Sequence, residues 1–148
     1  MRSTNPYLNF DGNTEEAFNY YRSVFGGQFE GVVRYKDFPD MGAPPAERDK
    51  IAHIALPLGN GAILMGTDVL TSRGQNLVAG NNFYIALEAD TSEHADQVFA
   101  GLSAGGQVEM PLQRVAWAEK YGSCRDKFGI NWMVSFTGSV RFTLPTGS

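Results

Sequence analysis

Residues 13–29 read NTEEAFNYYRSVFGGQF, and residues 92–108 read SEHADQVFAGLSAGGQV. Both segments start with polar and acidic residues, continue with apolar residues at helical spacing and reach Gly-Gly-Gln near their ends. Acidic residues favour the first turn of a helix, and glycine adopts the left-handed conformation in which many helices end. The sequence therefore predicts two similar helices, each stopped by a glycine pair.

Each predicted helix carries one apolar stripe, which we expect to face a core. The stripe residues are Ala17, Tyr21, Val24 and Phe25 in the first helix and Ala95, Val98, Phe99 and Leu102 in the second. Asn13 is expected to cap the first helix with its side chain, and the segment from Asp90 to Glu93 is expected to start the second.

Alternating apolar residues and glycine-rich turns predict strands around both helices. The predicted strands lie at 5–10, 28–36, 51–58 and 62–67 in the first half, and at 83–89, 107–118, 121–125 and 131–136 in the second. Residues 59–61, Gly-Asn-Gly, are predicted to close a hairpin. Gly26 and Gly105 are 79 residues apart, as are Asn5 and Tyr84, so the chain is predicted to contain two βαβββ modules of an α+β fold.

We expect one domain over residues 1–138, with module one at about 4–69 and module two at about 80–137. Residues 139–148 show neither a helical nor a clear strand period and are expected to form a tail. Residues 38–50 are rich in proline, glycine and charge. They are expected to form an exposed loop, with a mobile lid as one interpretation.

The composition excludes several classes of protein. The chain has 148 residues, of which 43% are hydrophobic, and a net charge of −4, so a packed core is expected and nucleic-acid binding is not. No apolar run approaches the ~18 residues of a membrane span, and no apolar stretch follows Arg2 as in a secretory signal. We therefore expect a cytoplasmic protein without membrane contact. The lone Cys124 permits neither an intrachain disulfide nor a multi-thiolate zinc site and is expected to be a buried bystander.

Several motifs occur in an order and spacing that resemble one protein family. They are AxxYYxxVFGG from Ala17, HxxL from His53 leading to AILMGTD from Ala62, MPL from Met110 and DKFGINW from Asp126. Between residues 5 and 136 the chain is similar to the glyoxalase/bleomycin-resistance/dioxygenase fold, the vicinal-oxygen-chelate superfamily, and within it to the PhnB-like group. The resemblance implies paired βαβββ modules whose curled mixed sheets enclose a cleft, a small-molecule ligand and a homodimer.

The resemblance also implies where a metal would bind. Metal-dependent relatives hold one ion with His or Glu from the first and last strands of each module, and these positions fall at Asn5, Met65, Tyr84 and Met133. An amide, a phenol and two thioethers give ions such as Mn, Fe, Ni or Zn no imidazole or carboxylate donor. We therefore expect no metal there and no cofactor, and we assign the four residues to ligand binding.

His53 is the strongest single candidate for chemistry. In a strand with period two, His53 shares a face with Ile51 and Ala55, and it points into the cleft if helices cover the other face. There it would act as a general base or as a donor to a ligand anion. A hydrogen-bonded histidine in a half-buried sheet is the open alternative, and His94 is expected at the surface.

Aromatic and basic side chains are further candidates for ligand contacts. Tyr84, Trp117 and Tyr121 have aromatic faces and polar tips, which suit a planar or amphipathic molecule. Arg114 and Arg125 would recognise a carboxylate or phosphate, with solvated ion pairs as the alternative. Trp132, by contrast, is expected in the core.

These features favour a protein that binds a small organic ligand in a cleft without the usual metal, as bleomycin-resistance proteins do. One alternative is a glyoxalase or dioxygenase type of enzyme, in which His53 works with Tyr84 or Tyr121, or a displaced metal site uses His53 and Glu88. A second alternative is a dimeric interaction module with a filled cleft. Methyltransferase activity is not expected, because the glycine-rich pieces lie in a hairpin and after a helix, not between a parallel strand and a helix.

Overall fold

The computed structural model describes residues 1–141 and divides into two compact units, Met1–Val78 and Ala79–Ser148. Each unit contains one four-stranded mixed sheet and one helix in the order βαβββ. The predicted α+β fold with two modules is confirmed, and we call the units module one and module two. Most of the predicted tail, residues 142–148, lies outside the described residues. Up to residue 141, no helix has the length and apolar character that crossing a membrane requires.

Module one is built from strands β1–β4 and helix α1. Their bounds are β1 Tyr7–Phe10, α1 Thr14–Phe25, β2 Gly31–Arg34, β3 Ile51–Pro57 and β4 Ile63–Asp68. The strands lie in the order β1-β4-β3-β2, with β1 parallel to β4 and the other pairs antiparallel. The predicted hairpin joins β3 to β4, and the Asn60 side chain accepts a hydrogen bond from the Ala62 N–H there at 2.9 Å.

Helix α1 packs on β3 and β4 through aromatic and small side chains. Ala17, Phe18 and Tyr21 are fully buried. The Phe18 ring lies edge-on to Phe10 and to Tyr21, with ring centroids 6.3 and 5.6 Å apart. Val24, part of the predicted stripe, is only half-buried. The buried face of α1 is therefore rotated towards Phe18 relative to the predicted stripe.

The prediction that the Asn13 side chain caps α1 is wrong. It makes no capping hydrogen bond, and the buried carboxylate of Asp68 at the end of β4 takes its place. Asp68 Oδ1 accepts hydrogen bonds from the N–H groups of Gly12 and Thr14 at 3.0 and 3.1 Å and from the Thr14 hydroxyl at 2.6 Å. Its Oδ2 accepts from the Ile51 N–H at 2.8 Å. One buried acid therefore ties the helix start and β3 to β4.

Module two repeats this topology with strands β5–β8 and helix α2. Their bounds are β5 Ile85–Glu88, α2 Ser92–Ser103, β6 Gln107–Val115, β7 Ala118–Arg125 and β8 Asn131–Phe136. The strands lie in the order β5-β8-β7-β6, and β5 is parallel to β8. The Thr91 hydroxyl accepts a hydrogen bond from the His94 N–H at 3.1 Å, so this helix is capped by its own sequence, as predicted.

The core of module two forms where α2 packs on β7 and β8. All four stripe residues predicted for α2 are buried, and Trp132 is fully buried as predicted. The Trp132 Nε1–H donates a hydrogen bond to the buried Asp126 carboxylate at 2.8 Å. Cys124 is also fully buried. Burial, together with the Asp126 and Glu109 carboxylates, raises the pKa of its thiol to about 11, which is typical of an unreactive cysteine.

The connection between β2 and β3, residues 35–50, contains three short 3-10 helices. The Tyr35 hydroxyl donates a hydrogen bond to the Asp68 carbonyl oxygen at 2.8 Å. The buried Glu47 carboxylate accepts hydrogen bonds from the Ser72 hydroxyl at 2.6 Å and from the Ser72 N–H at 3.3 Å. These contacts tie the connection to the end of β4, which does not favour the mobile-lid interpretation.

Candidate functional site

In module one, α1 covers one face of the sheet, and we call the other face the open face of module one. Tyr7 on β1 pairs with Met65 on β4, and Met65 pairs with Ala55 on β3, so these three side chains share the open face. His53, two residues before Ala55, pairs with Val33 on the same face. Asn9 and Thr67, two residues further along β1 and β4, share this face, so it combines a phenol and an imidazole with uncharged apolar and polar neighbours.

Tyr7 and His53 form a hydrogen-bonded pair on this face. The Tyr7 hydroxyl lies 3.0 Å from Nδ1 of His53, and the two ring centroids are 5.7 Å apart. Burial, with a smaller contribution from Tyr35, raises the pKa of the Tyr7 hydroxyl, so Tyr7 is neutral at physiological pH. Tyr7 is nevertheless 44% exposed. The pair is therefore a polar group that a ligand can reach.

The residue opposite Met65 is Tyr7, which lies two residues after the predicted site residue Asn5. Asn5 lies before β1, and its side-chain oxygen accepts a hydrogen bond from the Ile63 N–H at 2.9 Å, which holds the start of β4. Strand alternation puts Asn5 and Tyr7 on the same face, so the sequence alone does not choose between them. A ligand contact by Asn5 stays a prediction.

A bulge in β3 places Ile51 on the opposite face of the sheet from the predicted one. Val33 pairs with His53, but the register then shifts. The next residue, Arg34, pairs with Ile51, so Ala52 is the extra residue of a β-bulge. Ile51 is 1% exposed, whereas His53 is half-buried on the open face. The prediction that Ile51 and His53 share a face is wrong because the bulge separates them.

In module two, α2 covers one face of the sheet, and the opposite face is the open face of module two. Ala86 on β5 pairs with Met133 on β8, which pairs with Ser123 on β7. Tyr121 shares this face with Ser123 by strand alternation. The Trp117 ring, in the turn between β6 and β7, lies edge-on to Tyr121 with a centroid distance of 5.4 Å. Two of the predicted aromatic residues are therefore in contact with each other.

Tyr84 lies just before β5, and its hydroxyl donates a hydrogen bond to Oε1 of Glu109 on β6 at 2.7 Å. This hydrogen bond, followed by burial, raises the pKa of the Tyr84 hydroxyl, whereas the charge of Arg125 opposes the rise. Of the two predicted anion-binding arginines, Arg114 is exposed on β6. The arginine whose charge reaches Tyr84 is therefore Arg125, and a ligand contact by Arg114 stays a prediction.

The resemblance puts the metal positions of metal-dependent relatives at Asn5, Met65, Tyr84 and Met133, and this assignment stays a prediction. The strand register brings Tyr7 opposite Met65 and Ala86 opposite Met133. None of these residues provides an imidazole or a carboxylate for a divalent ion. Among residues 1–141, no three His, Cys, Asp or Glu side chains come together in a way that could hold a metal. The donor set does not fit the metal of such relatives.

Glu88, the alternative metal ligand of the sequence analysis, makes several hydrogen bonds within module two. Its carboxylate accepts hydrogen bonds from the Thr137 N–H at 2.8 Å, from the Thr137 hydroxyl at 3.0 Å and from the Ser135 hydroxyl at 3.3 Å. These contacts join the end of β5 to the end of β8, with which β5 is paired.

Comparisons with known proteins agree with this architecture. A sequence model of the Glyoxalase/Bleomycin resistance protein/Dioxygenase superfamily matches residues 5–134. Protein YjdN of Escherichia coli (strain K12) is 30% identical over 139 residues, which cover 88% of this chain and 92% of YjdN.

Two solved structures are similar over most of their length. Protein PA1353 from Pseudomonas aeruginosa is 34% identical with a TM-score of 0.81, and the match covers 90% of this chain and 96% of PA1353. The PhnB protein from Bacillus cereus is 28% identical with a TM-score of 0.71, and the match covers 90% of this chain and 98% of that protein. The chain therefore belongs to the glyoxalase/bleomycin resistance protein/dioxygenase superfamily, with PhnB-like and YjdN-like proteins among its relatives.

Proposed function

We propose that this chain binds a small organic ligand on the open faces of its modules, and that it does so without a divalent metal at the positions used by metal-dependent relatives. The observation that carries the proposal is the chemistry of the predicted positions Asn5, Met65, Tyr84 and Met133 and of the residues paired with the two methionines, Tyr7 and Ala86, because none of them is an imidazole or a carboxylate. Ligand binding needs a shaped and partly apolar surface, whereas Lewis-acid catalysis needs the metal. A donor set without imidazole or carboxylate therefore favours binding.

The side chains of module two suit a planar or amphipathic ligand. Trp117 and Tyr121 present aromatic faces at the β6–β7 turn, and Met133 adds a flexible apolar side chain. The hydrogen-bonded Tyr84 and Glu109 add polar groups that can orient a ligand. We therefore expect a ligand with an aromatic or quinone-like body and oxygen substituents.

An acid–base enzyme is the second candidate function, and the contact between Tyr7 and His53 favours it. An imidazole held at Nδ1 can exchange a proton at its other nitrogen, Nε2. The sequence suggested Tyr84 or Tyr121 as the partner of His53, whereas the partner within module one is Tyr7. Turnover of a bound compound that disappears in His53→Ala would favour the enzyme over the binding protein.

A thermal-shift screen of planar antibiotics, quinones and phosphonates tests ligand binding directly. A compound that binds the folded chain raises the melting temperature. We expect at least one of these classes to raise it by several degrees. If no compound shifts the melting temperature at millimolar concentration, the proposal fails and a dimeric interaction module becomes the better description.

The two histidines provide matched variants for this screen. His53 lies on the open face of module one, whereas His94 is exposed in the first turn of α2. We expect His94→Ala to retain the ligand-induced shift and His53→Ala to reduce it. Equal shifts of the melting temperature in the two variants would show that the open face of module one is not part of the ligand site.

We also propose a homodimer, because proteins of this superfamily often dimerise. The chain has a mass of 16.2 kDa, so light scattering should give about twice this value. A mass equal to that of one chain at micromolar concentration would contradict the dimer without affecting ligand binding.

A further inference from the structure

The two ring nitrogens of His53 have different surroundings. Nδ1 lies 3.0 Å from the Tyr7 hydroxyl. Within residues 1–141, Nε2 has no hydrogen-bond partner. Nε2 is not fully buried, so it has access to solvent. Nε2 is therefore the nitrogen that a ligand can reach.

The direction of the hydrogen bond between Tyr7 and His53 decides whether Nε2 carries a proton. A phenol is a stronger acid than the N–H of a neutral imidazole, and an imidazole nitrogen is a better acceptor than a phenol oxygen. Burial raises the pKa of Tyr7, so the hydroxyl retains the proton that it donates. Tyr7 therefore donates to Nδ1, and the single proton of the neutral ring lies on Nε2.

We infer that Tyr7 fixes His53 in the Nε2–H tautomer and that this N–H donates a hydrogen bond to an oxygen atom of the ligand. The ligand class is therefore a small organic molecule with a carbonyl, carboxylate or phosphonate oxygen. This inference rests on the proposed function, because it names the chemistry that the open face of module one recognises. Tyr7 is a positioning residue, since it acts on the ligand through His53.

The neighbours of the pair favour an oxygen acceptor over a cation. The neighbours of Tyr7 and His53 on the open face are uncharged, and they are Met65, Ala55, Val33, Asn9 and Thr67. A ligand ammonium group would find no counter-charge at these positions and would meet an N–H donor. The apolar body of an acidic or carbonyl ligand, in contrast, can pack against the half-buried Met65 and Val33 while its oxygen accepts the hydrogen bond.

Long-range 1H–15N NMR of the full chain, at a pH where both imidazoles are neutral, reads the tautomer directly. The chain has two histidines, and His94→Gln assigns the signals. We expect His53 to carry its proton on Nε2 alone. A proton on Nδ1 would overturn the inference and leave the proposal of ligand binding intact.

Tyr7→Phe keeps the aromatic ring and removes the hydroxyl. We expect the tautomer ratio of His53 in this variant to relax towards that of the exposed His94. Tyr20→Phe on α1 is the matched control and should leave the His53 signals unchanged. Near-ultraviolet circular dichroism verifies that both variants are folded. An unchanged His53 spectrum in folded Tyr7→Phe would overturn the positioning role of Tyr7.

Benzoate and benzylamine test the ligand class, because they share a ring and carry opposite charges. We expect benzoate to shift the Nε2 signal of His53 and benzylamine to leave it in place. A shift of the Nε2 signal with benzylamine alone would overturn the inference. The absence of a shift with both probes, in a protein for which the thermal screen has found ligands, would also overturn it. A screen without any ligand would count against the proposed function and would not alter the tautomer result.

Discussion

The two modules have the same strand order and differ most in the connection between their second and third strands. In module one this connection is residues 35–50 with their three 3-10 helices, whereas in module two it is the turn at Ala116 and Trp117. Lengthening a surface loop adds little free energy of closure, so one sheet topology accepts both connections. The difference teaches that the paired strands specify the fold and that the connections are free to diverge.

The same comparison separates the fold from the candidate site. Each module pairs its first strand with its last in parallel, and a methionine lies at equivalent places, Met65 and Met133. Opposite these methionines module one has Tyr7 and module two has Ala86. The repeated fold therefore supplies equivalent positions, and the side chains at those positions make the two open faces chemically different.

Each module contains a buried aspartate, and we expect the largest losses of stability when these residues are replaced. Asp68 joins the start of α1 and β3 to β4, whereas Asp126 binds two backbone N–H groups of the β7–β8 turn and the Trp132 indole. Asp68→Ala leaves buried donors unpaired, and we expect it to lower the free energy of unfolding by about 3–4 kcal/mol. Urea denaturation monitored by circular dichroism measures this loss.

Asp126→Ala is the matched variant in module two. We expect a loss of about 2–3 kcal/mol, because the variant takes the acceptor from one buried donor, the Trp132 indole, and the N–H groups of Phe128 and Ile130 are only partly buried. The N–H groups of Thr14 and Ile51 that bind Asp68 are buried. A larger loss for Asp126→Ala than for Asp68→Ala would contradict this ranking.

A glycine under the helix of each module gives the second prediction. A Cβ atom at Gly66 would lie 2.5 Å from the buried Phe18 ring, and one at Gly122 would lie 2.8 Å from the carbonyl oxygen of Met110 on the edge strand β6. We expect Gly66→Ala and Gly122→Ala each to cost about 2–3 kcal/mol, because the first must displace a packed ring and the second must displace the backbone of β6 and the Phe99 ring. Clearly unequal losses in urea denaturation would contradict this expectation.

The long connection of module one gives a pH-dependent prediction that module two does not share. Hydrogen bonds from Ser72 lower the pKa of Glu47, so the stability that Glu47 contributes is complete above its ordinary pKa and is lost as the pH falls through its lowered pKa. We expect the stability difference between the wild type and Glu47→Gln to shrink between neutral pH and about pH 3. Urea midpoints across this range measure it, and parallel curves would contradict the role of Glu47.

Cys124 is the single cysteine of the chain, so the reactivity of its thiol measures the packing of module two alone. Burial raises the pKa of this thiol to about 11, so few molecules carry the reactive thiolate at pH 8. We expect native protein to react very slowly with a thiol-specific disulfide reagent and unfolded protein to react at once. Rapid reaction of the native protein would show that the core of module two is open.

The order of the elements could be predicted from the sequence because each element carries a local pattern. The apolar stripe of α2 and the β3–β4 hairpin are read from neighbouring residues, and both predictions are confirmed. The features that were missed depend on distant residues. Asp68 caps α1 from 54 residues away, the bulge at Ala52 arises where β2 pairs with β3, and only the register between β1 and β4 places Tyr7 opposite Met65.

Calorimetric titration of Mn²⁺, Fe²⁺, Ni²⁺ and Zn²⁺ into chelator-treated protein is the most direct test of the claim that the donor set of this chain does not hold a divalent ion. Tyr7, Met65, Ala86 and Met133 supply no carboxylate or imidazole to such an ion. We predict no stoichiometric binding of any of the four metals and no rise in melting temperature when they are added. Binding of one ion per chain that disappears in His53→Ala would contradict the claim.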